Sequence, residues 1–260
     1  MKTLHFFYEM NLQFQDPVRN HYFALRCVPS SDEVQDITIA NKFIYPADCL
    51  NELTDGFGNR KYVGHCFGEH QWFGYKIVGT ARVEGMKIRH EILHPMYRYP
   101  SPFTRPGPAL TGYLAAIRPP EGTPLERALY MMHRLYRDFR YVAGRTDIYT
   151  TAEEAMAQGE GVCQDYAHIF IALCKMCRIP ARYVNGLMIG EGYTHAWMEI
   201  YTGSGWYGLD PTNNLHVDDY YIKLAHGRDY GDCILDKGIF LGGGAQVQKI
   251  TVNVEEETEP

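Results

Sequence analysis

The sequence lacks the features of a membrane protein or a nucleic-acid-binding protein. No apolar run in its 260 residues approaches the ~18–20 residues that a membrane-spanning helix needs. No long basic run interrupts a net charge of −6, which argues against a surface for nucleic acids or anionic membranes. Residues 1–8 turn polar too soon for a signal peptide, so we expect a cytoplasmic protein.

Patterns typical of disulfide frameworks and metal sites are also missing. The seven cysteines are irregularly spaced and follow no export signal, which favours reduced thiols. Cys174 and Cys177 form a C-x-x-C pair, but it lies in a predicted amphipathic helix and no second pair stands at zinc spacing, so we expect packing there. No acidic loop has calcium-ligand spacing. The sequence therefore predicts no metal and no cofactor.

What the chain does contain is a thiol, an imidazole and a carboxylate in three separate segments. These are Cys163 in GVCQD, His195 in THAW and Asp210 in LDPT. Acyl transfer through a cysteine needs a nucleophile, a base that takes its proton and an anion that orients the base. The three residues are useful together only if the fold brings them to one place.

The pattern of residues 195–210 predicts a β-hairpin that joins two of the three. Strand-forming residues flank the turn-like stretch 202–205. If Tyr201 pairs with Trp206, Asp210 falls opposite Trp197 and shares a sheet face with His195. A slip of one residue would move Asp210 to the other face, so this prediction depends on the register.

Helix-capping patterns place the thiol. Thr151 to Glu154 form a capping box for a short helix that Gly159 ends, and a second helix is predicted to begin near Cys163. Unpaired N–H groups in the first turn favour a thiolate and can stabilise an oxyanion. Thr123 opens another capping box, with Pro124 at the first helical position.

The chain changes character along its length. Strand-like segments punctuated by Pro, Gly, Asn and Asp dominate residues 1–100, which predicts an all-β, sandwich-like domain. Residues 101–122 begin in a Pro-rich stretch and are predicted to form a linker. Residues 123–254 are predicted to form the catalytic core with a C-terminal strand, and residues 255–260 an acidic tail. The predicted fold class is α+β.

Ordered sequence blocks carry a family resemblance. They are residues 161–168 (GVCQDYAH), 179–186 (IPARYVNG), 195–197 (HAW) and 210–212 (DPT), with shorter similarities at residues 55–59 (DGFGN) and 227–230 (GRDY). Together they resemble the bacterial transglutaminase-like superfamily, whose members are often described as cysteine proteases. The resemblance implies a papain-like core with Cys163 as nucleophile, His195 as general base and later acid, and Asp210 as the orienting carboxylate.

The resemblance also implies a second donor to the oxyanion, and here the chain departs from the pattern. Some transglutaminases use a tryptophan upstream of the cysteine, but no tryptophan lies between Trp72 and Cys163. Tyr149, Gln158 and Gln164 are the candidates that could replace it. Trp197 and Tyr183 are expected to line the walls of the site, and ordinary strand packing is the alternative interpretation for both.

We therefore expect a cysteine-dependent enzyme that attacks an amide carbonyl through a thioester intermediate. Hydrolysis of a peptide or protein amide is the preferred reaction, because water is always present and no second substrate site is recognisable. Transamidation by a transglutaminase is a second possibility, and a non-catalytic peptide-binding module on the same fold is a third. The sequence identifies neither the physiological amide nor the oligomeric state.

Overall fold

Strands occupy both ends of the chain, and the helices lie in its middle. The computed structural model describes residues 1–257. Its helices are α1 (Pro108–Ile117), α2 (Pro124–Asp138), α3 (Ala152–Gln158) and α4 (Cys163–Met176), with 3₁₀ turns at Pro95–Arg98, Pro102–Thr104 and Tyr230–Asp232. Its strands are β1 (Lys2–Leu25), β2 (Gln35–Tyr45), β3 (Cys49–Thr54), β4 (Arg60–Cys66), β5 (His70–Val83), β6 (Arg140–Tyr141), β7 (Glu160–Gly161), β8 (Ala181–Met188), β9 (Gly190–Gly192), β10 (His195–Tyr201), β11 (Trp206–Asp210), β12 (Leu215–His216), β13 (Tyr221–Gly227), β14 (Asp236–Gly242) and β15 (Gln246–Glu256).

The long strand β1 organises the first sheet. Its first half pairs with β5 and β15, and its second half pairs with β4 and β14. The pairing with β5 is interrupted between Gln13 and Val18, around Pro17, which has no N–H to donate. Leu4, Phe6 and other alternate residues of the first half are buried, as expected for a strand with one face on the core.

The C-terminal strand β15 joins a different sheet from the one that its position in the sequence suggested. β15 pairs with β1 from Leu4↔Glu256 to Phe14↔Gln246, so this strand extends the N-terminal sheet and not the sheet that contains His195. Alternating hydrophobicity predicts a strand but carries no information about its partner. The predicted acidic tail is shorter as well, because Glu255 and Glu256 lie in β15 and residues 258–260 lie outside the described residues.

Residues 101–122 are not an extended linker. They contain the turn Pro102–Thr104 and helix α1, and Leu110 and Ile117 of α1 are buried in the core. Pro108 stands at the first position of α1, where its missing N–H breaks no helical hydrogen bond. The proline content therefore misled the prediction. The division of the chain into domains stays a prediction.

The helix starts agree with the capping patterns. Thr123 and Thr151 each accept from the backbone three residues on, and Gly159 ends α3 with φ 75°. α4 begins at Cys163, but its burial is greater than an amphipathic pattern predicts, because every residue from Asp165 to Lys175 is buried. The helix runs through the middle of the core, between the other helices and the second sheet.

The second sheet presents the hairpin. Its antiparallel order is β12-β11-β10-β8-β13, and β10 and β11 pair with Tyr201 opposite Trp206, the predicted register. Its buried Glu199 accepts from Arg182 at 2.5 Å and also pairs with Arg89, which precedes the helical region. Helices and these two sheets together confirm the α+β class.

Candidate active site

The β10–β11 hairpin brings His195 and Asp210 into direct contact. The Nε2 atom of His195 lies 2.7 Å from Oδ2 of Asp210. Asp210 is fully buried, and only 11% of the His195 side chain is exposed. The predicted register therefore gives the predicted pair.

The carboxylate of Asp210 is held by further donors. The Tyr221 hydroxyl donates to Oδ2 at 2.9 Å, and the Asn213 amide donates to the same oxygen at 2.8 Å. The backbone N–H of Thr212 donates to Oδ1 at 2.9 Å. Burial alone would raise the pKa of Asp210, but the bonds from His195, Asn213 and Tyr221 lower it below its usual value. The aspartate is therefore an ionised, fixed anion at neutral pH.

This anion controls the charge of the imidazole. Burial opposes protonation of His195, but Asp210 and Cys163 outweigh it and raise the His195 pKa to about 10. Because the Nε2 atom of His195 is hydrogen-bonded to Asp210, Nδ1 is the ring nitrogen that can interact with the sulfur of Cys163. The sulfur of Cys163 lies close enough to the imidazole to contribute to this pKa, and contacts of this kind tighten in many enzymes when substrate binds.

Cys163 is the first residue of α4, and the sequence around it explains why the helix begins there. The Asp165 carboxylate accepts from the Val162 N–H and from the Thr146 hydroxyl, both at 2.7 Å. A Cβ on Gly161 would overlap the Asp165 carboxylate, so only glycine lets the side chain fold back over the helix start. The half-buried thiol is thus fixed at the end of a rigid helix.

The first turn of α4 leaves backbone donors free. Asp165 and Tyr166 donate to the Val162 carbonyl, whereas the N–H groups of Cys163 and Gln164 make no hydrogen bond within residues 1–257. The first N–H groups of a helix have no partner inside it. Two donors beside the sulfur are therefore available to a developing oxyanion.

The thiol and the imidazole face one small cleft. A cavity of about 190 Å³ is lined by Cys163, His195, the loop 189–194 and Tyr141. Val252 of β15 completes the lining, and β15 pairs with β9 inside that loop. The N-terminal sheet therefore supplies one wall of the cleft, which the sequence did not indicate.

Other residues proposed from the sequence lie elsewhere. Gln164 donates its side chain to the Ile148 carbonyl at 3.4 Å, and Tyr149 is 75% exposed and lines a different cavity. Gln158 is exposed at the end of α3. Trp197 is buried beneath His195, with ring centroids 6.2 Å apart. Tyr183 is also buried, so both aromatic residues support the site from below and do not line the cleft.

Three residues near the triad were not foreseen from the sequence. Asn213 follows Asp210 in a DPTN turn, a pattern that was available. Tyr221 comes from another strand, and no local pattern links it to Asp210. Tyr141 lines the cleft; burial, followed by the nearby Cys163 and Asp165, raises its pKa.

The structure adds three findings on features that the described residues lack. Residues 1–257 contain no cluster of three or more His, Cys, Asp or Glu side chains that could hold a metal ion. No helix of that part of the chain is both long and apolar enough to cross a membrane. All seven cysteines are free thiols.

Comparison with known proteins assigns the middle of the chain to a family. A family model described as the transglutaminase-like superfamily matches residues 112–211, which include Cys163, His195 and Asp210. A protein of Mycobacterium tuberculosis is 32% identical over 230 residues, covering 75% of this chain and 73% of that protein. A Mycobacterium leprae protein is 37% identical over 124 residues, so the match spans 44% of that relative's length.

A solved structure extends the likeness to the whole fold. A protein from Cytophaga hutchinsonii, provisionally named a cysteine protease, superposes with a TM-score of 0.79 at 20% identity. The match covers 99% of this chain and 92% of that protein. It includes the N-terminal sheet as well as the helices around Cys163.

Proposed function

The chain belongs to the transglutaminase-like superfamily, and we propose that it is a cysteine-dependent acyl-transfer enzyme that hydrolyses a peptide or amide bond. One observation carries the proposal: Cys163 and Asp210 act on the same buried imidazole, that of His195. A thiol, a base and an orienting carboxylate in this order are sufficient for thioester chemistry. A merely structural role for these residues would not require the sulfur and the imidazole to face one cleft.

The first half of the reaction releases an amine. The protonated His195 favours the thiolate of Cys163, whose sulfur attacks the amide carbonyl carbon and forms a C–S bond. The N–H groups of Cys163 and Gln164 stabilise the negative oxygen of the tetrahedral intermediate. The C–N bond then breaks, and the leaving nitrogen takes the Nδ1 proton of His195. The products of this half are a thioester on Cys163 and a free amine.

The second half regenerates the enzyme. Neutral His195 takes a proton from a water molecule whose oxygen attacks the thioester carbonyl. The C–S bond breaks, and the sulfur leaves as a thiolate beside the newly protonated imidazole. Asp210 keeps the ring oriented through Nε2 in both halves. The acid product leaves, and the starting charge state is restored.

Hydrolysis is preferred to transamidation because water is always available as the acyl acceptor. The surroundings of Asp210 favour turnover over peptide binding alone. A non-catalytic peptide-binding module would have no need for a carboxylate with donors on both oxygens behind the histidine.

The test is turnover of a peptide and peptide-amide library in water labelled with heavy oxygen. We expect a released amine and an acid that carries the label. Cys163→Ala should abolish both, and Cys49→Ala, which removes another partly exposed thiol, should not. Amine release that persists in Cys163→Ala would contradict the proposal. An unlabelled product joined to a second amine would identify transamidation instead.

A further inference from the structure

A large cavity lies outside the triad cleft. Its volume is about 910 Å³, within the range of pockets that hold small organic molecules. Strands β1, β14 and β15 of the first sheet form one side, and residues 148–149 and 230–234 form the other. Apolar side chains dominate its walls, among them Met10, Leu12, Phe23, Phe73, Ile234 and Phe240.

A single carboxyl group lies in this apolar surrounding. Asp236 of β14 lines the cavity, and its buried Oδ1 atom has no hydrogen-bond partner within residues 1–257. The nearby Tyr75 hydroxyl donates to Tyr8 at 2.5 Å, and the Gln248 amide reaches the other carboxyl oxygen at 3.3 Å. Because Oδ1 is closed off from the cavity beside Tyr75, Oδ2 is the carboxyl oxygen that a ligand in the cavity can reach.

No cation of the described chain pairs with Asp236. None of the ion pairs within residues 1–257 includes it. Lys237 also lines the cavity, but it is exposed and makes no ion pair with its neighbour. The charge that would complement the cavity is therefore positive.

Asp236 is also the group of this region that titrates near neutrality. Burial raises its pKa to about 6, and Tyr75 and Gln248 offset this only in part. The groups that face it stay neutral around that pH: burial lowers the pKa of His21 to about 4 and raises the pKa values of Tyr8, Cys27, Tyr75 and Tyr230. Above pH 6 the cavity therefore holds a carboxylate without a counter-ion.

We propose that this cavity binds an organic amine whose protonated amino group pairs with Asp236 and whose apolar or aromatic body fills the space between the two sides. The aromatic rings of Phe23, Phe73 and Phe240 favour such a ligand, because ring faces attract a cation and ring surfaces pack against an apolar body. The site is separate from the cleft of Cys163. Two features connect the cavity with that cleft: strand β15 lines both, and Gln164 donates to the carbonyl of Ile148, which lines the cavity.

Three probes with the same body and different head groups test the charge argument. Phenylbutylamine, phenylbutanol and phenylbutanoate are titrated calorimetrically against the full chain carrying Cys163→Ala, so that no turnover interferes. We expect the amine to bind at least about tenfold more tightly than the other two at about pH 8, where Asp236 is ionised. Equal binding of all three, no binding of any, or preference for the anion through Lys237 would overturn the proposal.

Two further arms locate the interaction. Lowering the pH to about 5 should weaken amine binding about tenfold and leave the alcohol unchanged, because about nine-tenths of Asp236 is then protonated. Asp236→Asn should give the same loss at about pH 8, whereas Glu121→Gln, at an exposed carboxylate, should not. The pH arm uses the native aspartate and stands even if Asp236→Asn fails to fold. Amine binding that is unchanged both at about pH 5 and in Asp236→Asn would contradict the assignment.

Discussion

The seven cysteines differ in their surroundings, and this difference predicts their reactivity. Burial raises the pKa values of five thiols, those of Cys27, Cys66, Cys174, Cys177 and Cys233, which keeps them protonated at neutral pH. Cys163 is half-buried at a helix start beside a protonated imidazole. Thiolate, not thiol, is the nucleophile.

We therefore predict that Cys163 is alkylated first of the seven thiols. Limited iodoacetamide treatment at neutral pH followed by peptide mapping measures the order. His195→Gln should slow modification of Cys163 and leave Cys49 unaffected, because only the former loses its imidazolium. Faster labelling of Cys49 or Cys66 than of Cys163 would contradict this prediction.

The charge of His195 also predicts how stability depends on pH. Its pKa is raised from 6.5 in the unfolded chain to about 10 in the fold, so the folded state binds the extra proton between these values. The stabilisation is complete below pH 6.5 and is lost as the pH rises through about 10. Asp210, whose pKa is lowered, stays ionised throughout this window.

Chemical unfolding of the wild type and of His195→Gln across this window measures the effect. The difference in unfolding free energy between the two should fall as the pH rises, since glutamine keeps a hydrogen-bonding group but cannot take up a proton. A difference that is constant from neutral pH to about pH 10 would show that His195 is not protonated in the fold.

At the scale of elements, the start of α4 depends on one glycine. Gly161→Ala would force the Asp165 carboxylate away from the Val162 N–H and should destabilise the protein by about 1–3 kcal/mol. Gly112→Ala in the exposed middle of α1 meets no atom within 4 Å and should stabilise it by about 0.5–1 kcal/mol. Thermal unfolding compares the two variants. Equal shifts of the same sign would mean that α4 is not anchored at Gly161.

Local patterns account for the elements that the sequence predicted correctly. Capping boxes at Thr123 and Thr151 mark helix starts because the side chain and the backbone that it caps are three residues apart. The β10–β11 hairpin follows from turn chemistry, and its register fixes which face carries His195 and Asp210. The helix starts and the hairpin were thus predictable because each is local, whereas the approach of Cys163 to His195 is a contact between separate segments that only the family resemblance implied.

Two of the missed features are local, namely Asn213 in its turn after Asp210 and helix α1 in the Pro-rich stretch, and the others are long-range. Tyr221 reaches Asp210 from β13, which pairs with β8 and not with the hairpin strand β11. Val252 reaches the cleft because β15 pairs with β1, more than two hundred residues earlier in the chain. Burial on all sides of α4 depends on elements that its own sequence does not specify. Periodicity predicts that a face is buried but not what covers it.

At the scale of the whole molecule, the pairing of the chain's two ends predicts that residues 101–257 do not fold alone. Residues 101–257 without β1 would leave β14, and also β15 which pairs with β9, without their β1 partner. The same cut removes Arg89, a partner of the buried Glu199. Losing one partner of a buried charge is strongly destabilising.

We therefore expect this fragment to show no cooperative thermal transition, while the full chain shows one. Circular dichroism with a temperature scan makes the comparison. A fragment that melts cooperatively and retains amide turnover would mean that the N-terminal sheet is dispensable, against the role given to Val252 and β15.

The central claim is that Cys163 carries the acyl group, and intact-mass spectrometry tests it most directly. The full chain is mixed with a peptide amide that it turns over, and the reaction is quenched in acid. The mass of the intact protein is measured, and the modified residue is located by peptide mapping. The account predicts a mass increase equal to that of the acyl group, located on Cys163 and removed by hydroxylamine. The adduct should be missing in Cys163→Ala. The modified fraction should be larger in Asp210→Asn if that change slows deacylation more than acylation. Turnover with no adduct on Cys163, or an acyl group bound to another residue, would contradict the account.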